Sequence, residues 1–245
     1  MNITILNYNI WFDTTTRSHR IKALINIIKL YNPDVICLQE VTQYTYDILY
    51  ESFCNSYNMF PNKIENYDCL ILSKFKIIEY HNQKFNNTSM DRKLHHIVIE
   101  HNNTNIIIAT THFESEFKYK NFNKIDQYHE AQYLLNKLTK LTPYVIFCSD
   151  TNILSHEECD FFKNDKKWLD SWSTCGSDKN IEYTYDTINN TNLKFKCSDK
   201  TIQSRIDRII YHNHNLIPSD YRLIKKIDNI EPSDHYGIFL NFYVY

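Results

Sequence analysis

Apolar residues recur along this chain with two different periods, and the alternation between them lays out its elements. Residues 3–6 form a short strand-like run that ends on Asn7-Tyr8-Asn9. Residues 18–32 carry Ile21, Leu24, Ile25 and Ile28 at helical spacing, with Ser18 as the expected N-cap and Pro33 just past the end. Val35-Ile36-Cys37-Leu38 is nearly continuous in apolar character, as a strand covered on both faces should be, and it ends at Gln39-Glu40. Thr42 is placed to cap a second helix reaching about Phe53. Residues 69–72 and 77–78 predict paired strands, as do 97–99 and 106–108, the latter two joined by an Asn102-Asn103 turn and leading into Thr110-Thr111-His112. The longest helical pattern, residues 123–141, sets Tyr128, Ala131, Leu134, Leu135, Leu138 and Leu141 on one stripe. Residues 145–148 predict a further buried strand ending at Ser149-Asp150, residues 205–211 alternate like a strand, and 237–245 predict the last one. Residues 173–204, rich in Asn, Thr, Lys and Asp, read as long surface loops.

Strands alternate with helices in each half, with hairpins between, and no linker or repeat interrupts them. This predicts one α/β domain over residues 1–245. Hydrophobic residues at 42% and charged residues at 23% are ordinary for a globular domain. A net charge of −2 means that a nucleic-acid ligand would need a local basic groove. With only Gly176 and Gly237, phosphate-cradling glycine loops are excluded, and turns must rely on Asn and Asp. The seven cysteines form no Cys-x-x-Cys pair and no zinc spacing, and Cys37 and Cys148 sit inside apolar runs. Reduced thiols and an intracellular protein, nuclear or cytoplasmic and not secreted, are therefore expected. The N-terminus lacks a signal-peptide layout, and no apolar run reaches membrane-spanning length.

Four polar blocks follow apolar strand-type runs: Asn7-Tyr8-Asn9, Gln39-Glu40, Ser149-Asp150-Thr151-Asn152 and Ser233-Asp234-His235. Carboxylates, amides and a histidine at strand ends are the parts of a metal-dependent phosphodiester hydrolase. Glu40 suits a hard divalent cation, which keeps open positions for phosphate oxygens. A glutamate after a strand is more often a solvated loop residue, and Ser-Asp-Thr-Asn is also ordinary turn chemistry. Asp150 could hold an attacking water. His235, beside Asp234 and with Asp207 as a candidate orienting group, could be kept protonated to stabilise a phosphorane. Apart from His112, the other histidines have no comparable setting.

Asn9, Leu38-Gln39-Glu40, Thr111-His112-Phe113-Glu114-Ser115, Ser149-Asp150-Thr151-Asn152, Arg205-Ile206-Asp207-Arg208 and Ser233-Asp234-His235 together resemble the ordered motifs of the endonuclease/exonuclease/phosphatase superfamily, over residues 3 to 244. The 112–115 block and Tyr183-Thr184-Tyr185-Asp186-Thr187 make the chain most similar to the 5′-tyrosyl-DNA phosphodiesterases. The resemblance implies a four-layer α/β sandwich of DNase I type, two mixed sheets flanked by helices, and dependence on Mg²⁺ or Mn²⁺. It implies that Glu40 ligates the metal with support from Asn9, that Asp150 positions the water, and that Asn152 contacts the phosphate. His112 and His235 would stabilise the transition state, Asp207 and Asp234 would back them, and Ser115 and Arg208 would hold the site or the phosphate. The substrate implied is a nucleic acid, DNA or RNA, joined through its 5′ end to tyrosine, and a monomer without membrane attachment is expected.

Tyr8 stands where the family usually has Trp, Ser149 where it has Gly, and Ile-Leu-Ser follows Asn152 in place of Leu-Arg-Asp. Because the chain opens on the first catalytic strand, no additional ubiquitin-binding domain is expected. The rival readings are another substrate of the superfamily (abasic DNA, poly(A) RNA, an inositol phosphate or sphingomyelin) and a catalytically dead binding module.

Overall fold

A computed structural model describes residues 2–115, 123–157, 166–193 and 201–245. Two six-stranded sheets stand face to face. The first has the order β13-β14-β1-β2-β4-β3, built from β1 (Asn2–Asn9), β2 (Val35–Thr42), β3 (Asn58–Phe60), β4 (Tyr67–Ser73), β13 (Leu216–Ile224) and β14 (Gly237–Val244). The second runs β5-β6-β7-β8-β12-β9, from β5 (Ile77–Lys84), β6 (Lys93–His101), β7 (Thr104–His112), β8 (Val145–Asp150), β9 (Trp168–Asp170) and β12 (Asp207–His212). A small ribbon pairs β10 (Tyr185–Asp186) with β11 (Gln203–Ser204). The pairs β1–β2 and β7–β8 are parallel and the remaining pairs antiparallel, so both large sheets are mixed.

Strand periodicity divides the core. Ile3, Ile5, Val35 and Cys37 face inward against Ile97, Ile108, Ile146, Cys148 and Ile209 of the other sheet. Leu6, Tyr8, Ile36 and Leu38 point outward and pack under α1 (Arg17–Tyr31) and α2 (Gln43–Phe53) through Leu24, Ile27, Leu49 and Phe53. On the far side, Ile107, Phe147 and Ile210 meet Tyr128, Ala131 and Leu135 of α3 (Asn123–Leu138). Helix, sheet, sheet, helix is the four-layer sandwich expected. No described helix is long and apolar enough to cross a membrane.

Local detail departs from expectation at several points. Thr42 caps α2, accepting from the Thr45 amide, but α1 begins after Thr16 in left-handed backbone with no side-chain cap, so Ser18 lies inside the helix. The α3 stripe stops at Leu138: Leu141 is 72% exposed, because the chain leaves the helix before its side of the sheet is reached. The 69–72 and 77–78 runs do not pair: β4 lies between β2 and β3 in the first sheet, and β5 crosses to the second, where it continues to Lys84 as a mostly exposed edge strand in which polar residues carry no burial cost. Asn102 and Asn103 both adopt φ near +50 to +60°, as a two-residue hairpin turn requires. Cys37, Cys54, Cys69, Cys148 and Cys175 are free thiols, while Cys159 and Cys197 lie outside the described residues.

Candidate active site

The polar blocks converge because β1 and β2, like β7 and β8, run parallel and end at the same level. Asn9 pairs with Gln39, and His112 with Asp150. Antiparallel β12 then starts where β8 ends, placing Asp207 opposite Asp150. Beneath the site, buried amides tie the two sheets together. The Asn7 amide donates to the Ser149 and Arg208 carbonyls at 3.3 and 3.4 Å, and the Gln39 amide donates to Asn7 Oδ1 at 2.8 Å and Thr110 Oγ1 at 3.0 Å.

Asp150 is fully buried at the centre. Its Oδ2 accepts from Asn9 Nδ2 at 2.8 Å and its Oδ1 from the Asn152 backbone N–H at 2.9 Å. Burial and then the neighbouring Asp207 push its pKa up to about 7. His112 Nε2 lies 3.3 Å from Asp150 Oδ2, and His235 Nε2 lies 3.8 Å from the same oxygen. The two histidines hold opposite charge states. Arg92 Nη1 lies 2.9 Å from His112 Nδ1, and a guanidinium can only donate, so that nitrogen accepts and the remaining proton sits on Nε2. Burial, then Arg92 and His235, lower the His112 pKa well below the usual range and keep the ring neutral. For His235, burial would also strip the proton, but Asp207, whose Oδ2 lies 2.9 Å from Nδ1, and then Asp150 outweigh it and hold the imidazole protonated.

Glu40 reaches this cluster through an irregularity. The β2–β4 register shifts between Leu38 and Val41, and Glu40 adopts a left-handed φ of 61°. The bulge turns its carboxylate outward to the sheet end. Glu40 Oε2 accepts from the Phe12 amide at 3.0 Å, and Oε1 lies 3.9 Å from His112 Nε2. Burial and then Asp234 raise its pKa. The described carboxylates thus outnumber the cations that could neutralise them, and Asp207 Oδ1 is buried with no hydrogen-bond donor among the described residues.

The remaining candidates are placed less uniformly. Asn9 donates to Asp150 and accepts from the Trp11 amide through Oδ1 at 3.0 Å, an oxygen that carries a second lone pair. Asn152 braces the end of β7, its Nδ2 donating to the Phe113 carbonyl at 2.9 Å. The Ser233 hydroxyl donates to the Asn9 carbonyl at 2.6 Å, and its oxygen lies 3.3 Å from Asp234 Oδ1. Ser115 stands on the rim, its hydroxyl meeting Met90 Sδ at 3.7 Å. Arg208 is not brought to the site. Next to Asp207 on a strand, it must face the other way, and its Nη1 donates to buried Asp170 at 3.1 Å.

Several contributors were given no role by the sequence, Arg92 with no mark at all and Glu114, Thr184 and Tyr185 only as members of quoted motif blocks. Arg92 leads into β6, and the turn before it is pinned by buried Glu114, which accepts from Thr88 Oγ1 at 2.6 Å and from the Ser89 and Met90 amides at 2.7 and 2.9 Å. The Arg92 guanidinium lies 5.1 Å from the centre of the Tyr67 ring, on which Phe12 stacks at 5.2 Å. Thr184 accepts from the Ile206 and Asp207 amides at 3.2 and 3.0 Å, and its carbonyl accepts from Tyr236 N–H at 2.8 Å, so it joins the two segments that carry Asp207 and His235. The adjoining Tyr185 ring meets His235 edge-on at 5.2 Å.

Comparison with known proteins agrees with this architecture. Tyrosyl-DNA phosphodiesterase 2 of Gallus gallus is 28% identical over 254 residues, covering 98% of this chain and 67% of the relative. The Homo sapiens protein of the same name is 28% identical over 253 residues, covering 97% and 67%. The chain therefore spans about two thirds of the length of these curated relatives. The crystal structure of Danio rerio TDP2 complexed with single-strand DNA product matches with a TM-score of 0.85 at 26% identity, covering 98% of each chain. A Bacteroides thetaiotaomicron mannosyl-6-phosphatase shares the fold, with a TM-score of 0.75 at 14% identity over 98% of this chain and 99% of that one. Residues 6–235 match the model of the Endonuclease/Exonuclease/phosphatase family, and the chain belongs to that family.

Proposed function

We propose that this chain is a metal-dependent phosphodiesterase that hydrolyses the bond between a tyrosine side chain and a nucleic-acid 5′ end, leaving a 5′-phosphate. The observation that carries the reading is Asp150, a buried carboxylate held by Asn9 between a neutral and a protonated histidine. Its likeness to tyrosyl-DNA phosphodiesterase 2 over nearly the whole chain supports the choice of substrate.

In this reading Asp150 orients the attacking water and accepts its proton, assisted by a pKa close to neutrality. His235, kept charged by Asp207, donates from Nε2 to a non-bridging oxygen as negative charge grows there. Neutral His112 offers its Nε2–H to the same phosphoryl group, and Arg92 behind it adds positive charge. Tyrosine departs as a phenolate, a fair leaving group with a pKa of about 10, which reduces the demand for a general acid.

The donor set fits a hard divalent cation, Mg²⁺ or Mn²⁺, since burial and then a neighbouring carboxylate raise the pKa of both Glu40 and Asp150, a cost that a bound cation would relieve. Glu40, supported by Asn9, would hold it, and when bound it would supply Lewis-acid stabilisation of phosphoryl charge. Asp150, Asp207 and His235 also crowd their polar atoms within 4.8 Å of one another. A protonated imidazole has no lone pair to give a metal, so we assign that triad to proton chemistry.

The test is hydrolysis of a 5′-phosphotyrosyl oligonucleotide with Mg²⁺, run beside abasic DNA and poly(A) RNA, with Asp150→Asn and Glu40→Ala as controls. Release of tyrosine and a 5′-phosphate, lost in both variants, is the expected result. Inertness toward the tyrosyl adduct with activity on abasic DNA would overturn the substrate, and unchanged activity in either variant would overturn the site. We further take the enzyme to act as a nuclear or cytoplasmic monomer, which sizing chromatography and imaging of a tagged chain would check.

A further inference from the structure

The polar groups of the site form a row, Asp207–His235–Asp150–His112–Glu40, with neighbouring contacts of 2.9, 3.8, 3.3 and 3.9 Å. In-line displacement puts the attacking water and the leaving oxygen on opposite sides of phosphorus. With the water on Asp150 and the far end of the row closed by fully buried Asp207, the leaving group departs toward the Glu40 end. That end carries an aromatic wall that the mechanism above does not use. Phe12 is 48% exposed, its ring stacks on Tyr67 at 5.2 Å with 23° between planes, and Tyr67 in turn lies under Arg92.

An exposed phenylalanine alone would mean little. This one is held in place by a costly arrangement. Trp11 before it has a left-handed φ of 59°, a strained conformation for a bulky residue. Buried Arg20 donates from Nη1 to the Ile10, Trp11 and Pro232 carbonyls at 3.1, 3.2 and 3.1 Å, and its guanidinium stacks on the Trp11 ring at 4.2 Å. The Phe12 amide then grips Glu40 itself. Strain and a buried guanidinium are thus arranged to hold one apolar ring, partly bare, beside the carboxylate assigned to the metal.

We propose that Phe12 is a specificity-determining residue for the leaving group, its exposed ring surface packing on the aromatic ring of the departing phenol. The inference rests on the phosphodiesterase reading and adds to it a residue that selects aryl over alkyl esters.

The experiment compares two 5′-adducts of one oligonucleotide with leaving groups of matched acidity, the tyrosyl ester and a hexafluoroisopropyl ester, across wild type, Phe12→Ala and Phe12→Tyr. Loss of one ring contact should lower kcat/KM of Phe12→Ala on the tyrosyl ester by about 3- to 10-fold, mainly through KM. The aryl-to-alkyl ratio should fall by the same factor, and Phe12→Tyr should restore it. An unchanged ratio in Phe12→Ala, or equal losses of kcat on both esters, would overturn the proposal by showing that Phe12 serves only to hold Glu40. Wild type cleaving neither ester would instead overturn the underlying phosphodiesterase reading, and this proposal with it.

Discussion

Thr184 joins the strand that carries Asp207 to the segment that carries His235, and replacing it with valine isolates that link. The residue is fully buried, and its hydroxyl is the acceptor for the amides of both Ile206 and Asp207. Valine has nearly the same shape but no acceptor, so two buried N–H groups would lose their partner. One buried donor left without an acceptor costs about 1–3 kcal/mol. Because the two amides share one oxygen, Thr184→Val should lower the unfolding free energy by about 2–4 kcal/mol. At about 2–4 °C per kcal/mol for a chain of this length, Tm should drop by roughly 4–16 °C. Thr184→Ser keeps the hydroxyl and loses one methyl, so it should stay within about 1 kcal/mol of wild type. Urea unfolding of the three proteins reads the stabilities, and steady-state kinetics on the tyrosyl adduct reads the site. Asp207 sets the charge of His235, so kcat of Thr184→Val should fall more than KM rises. Superimposable unfolding curves for Thr184→Val and wild type, or a serine variant as weak as the valine one, would refute the reasoning.

Asp207→Asn removes the charge that outweighs burial at His235. A raised folded pKa means the pair's stability is complete below the ordinary histidine range near 6.5 and is lost as pH rises through the higher folded value. The variant should lack that alkaline loss in urea titrations over a pH series, and its kcat should fall by about 10²-fold or more. Saturating Mg²⁺ should stabilise wild type, by about 2.7 kcal/mol at a hundredfold excess over Kd, and calorimetry with and without chelator should find this gain missing in Glu40→Gln. Tyr8 carries a fully buried hydroxyl with no partner among the described residues, so Tyr8→Phe should be neutral or stabilising by up to about 1 kcal/mol in the same unfolding assay. A Cβ at Gly237 would sit 2.6 Å from Tyr8 Cδ1, so Gly237→Ala should destabilise by about 1–3 kcal/mol, read as a lower Tm.

The amino-acid sequence by itself determined most strands and helices and which polar residues stand at strand ends, because hydrophobic periodicity is local and ends where a strand leaves the core. It did not give β3, β9, β13 or the β10–β11 ribbon, and it read as surface loops a stretch in which Thr184, Asn190 and Leu193 are fully buried. Glu40, His112, Asp150 and His235 were legible on that basis. Arg208, expected at the site, faces away from it, because neighbours on a strand point to opposite faces and Asp207 takes the inner one. What each side chain meets was decided by sheet order and register, which bring together residues far apart in the chain. The β8–β12 pairing sets Asp207 against Asp150, and the parallel β7–β8 pairing brings His112 to the same level. Asn9 reaches Asp150 across the gap between the sheets. Arg92 and Phe12 sit in stretches to which the sequence assigned nothing, Thr184 in a motif with no role assigned, and only tertiary contacts give them work. The opposite charge states of the two histidines belong wholly to the tertiary structure. Burial strips the proton from His112, with Arg92 adding to the effect, while Asp207 and then Asp150 outweigh the same burial at His235, because charges taken out of water act strongly at close range.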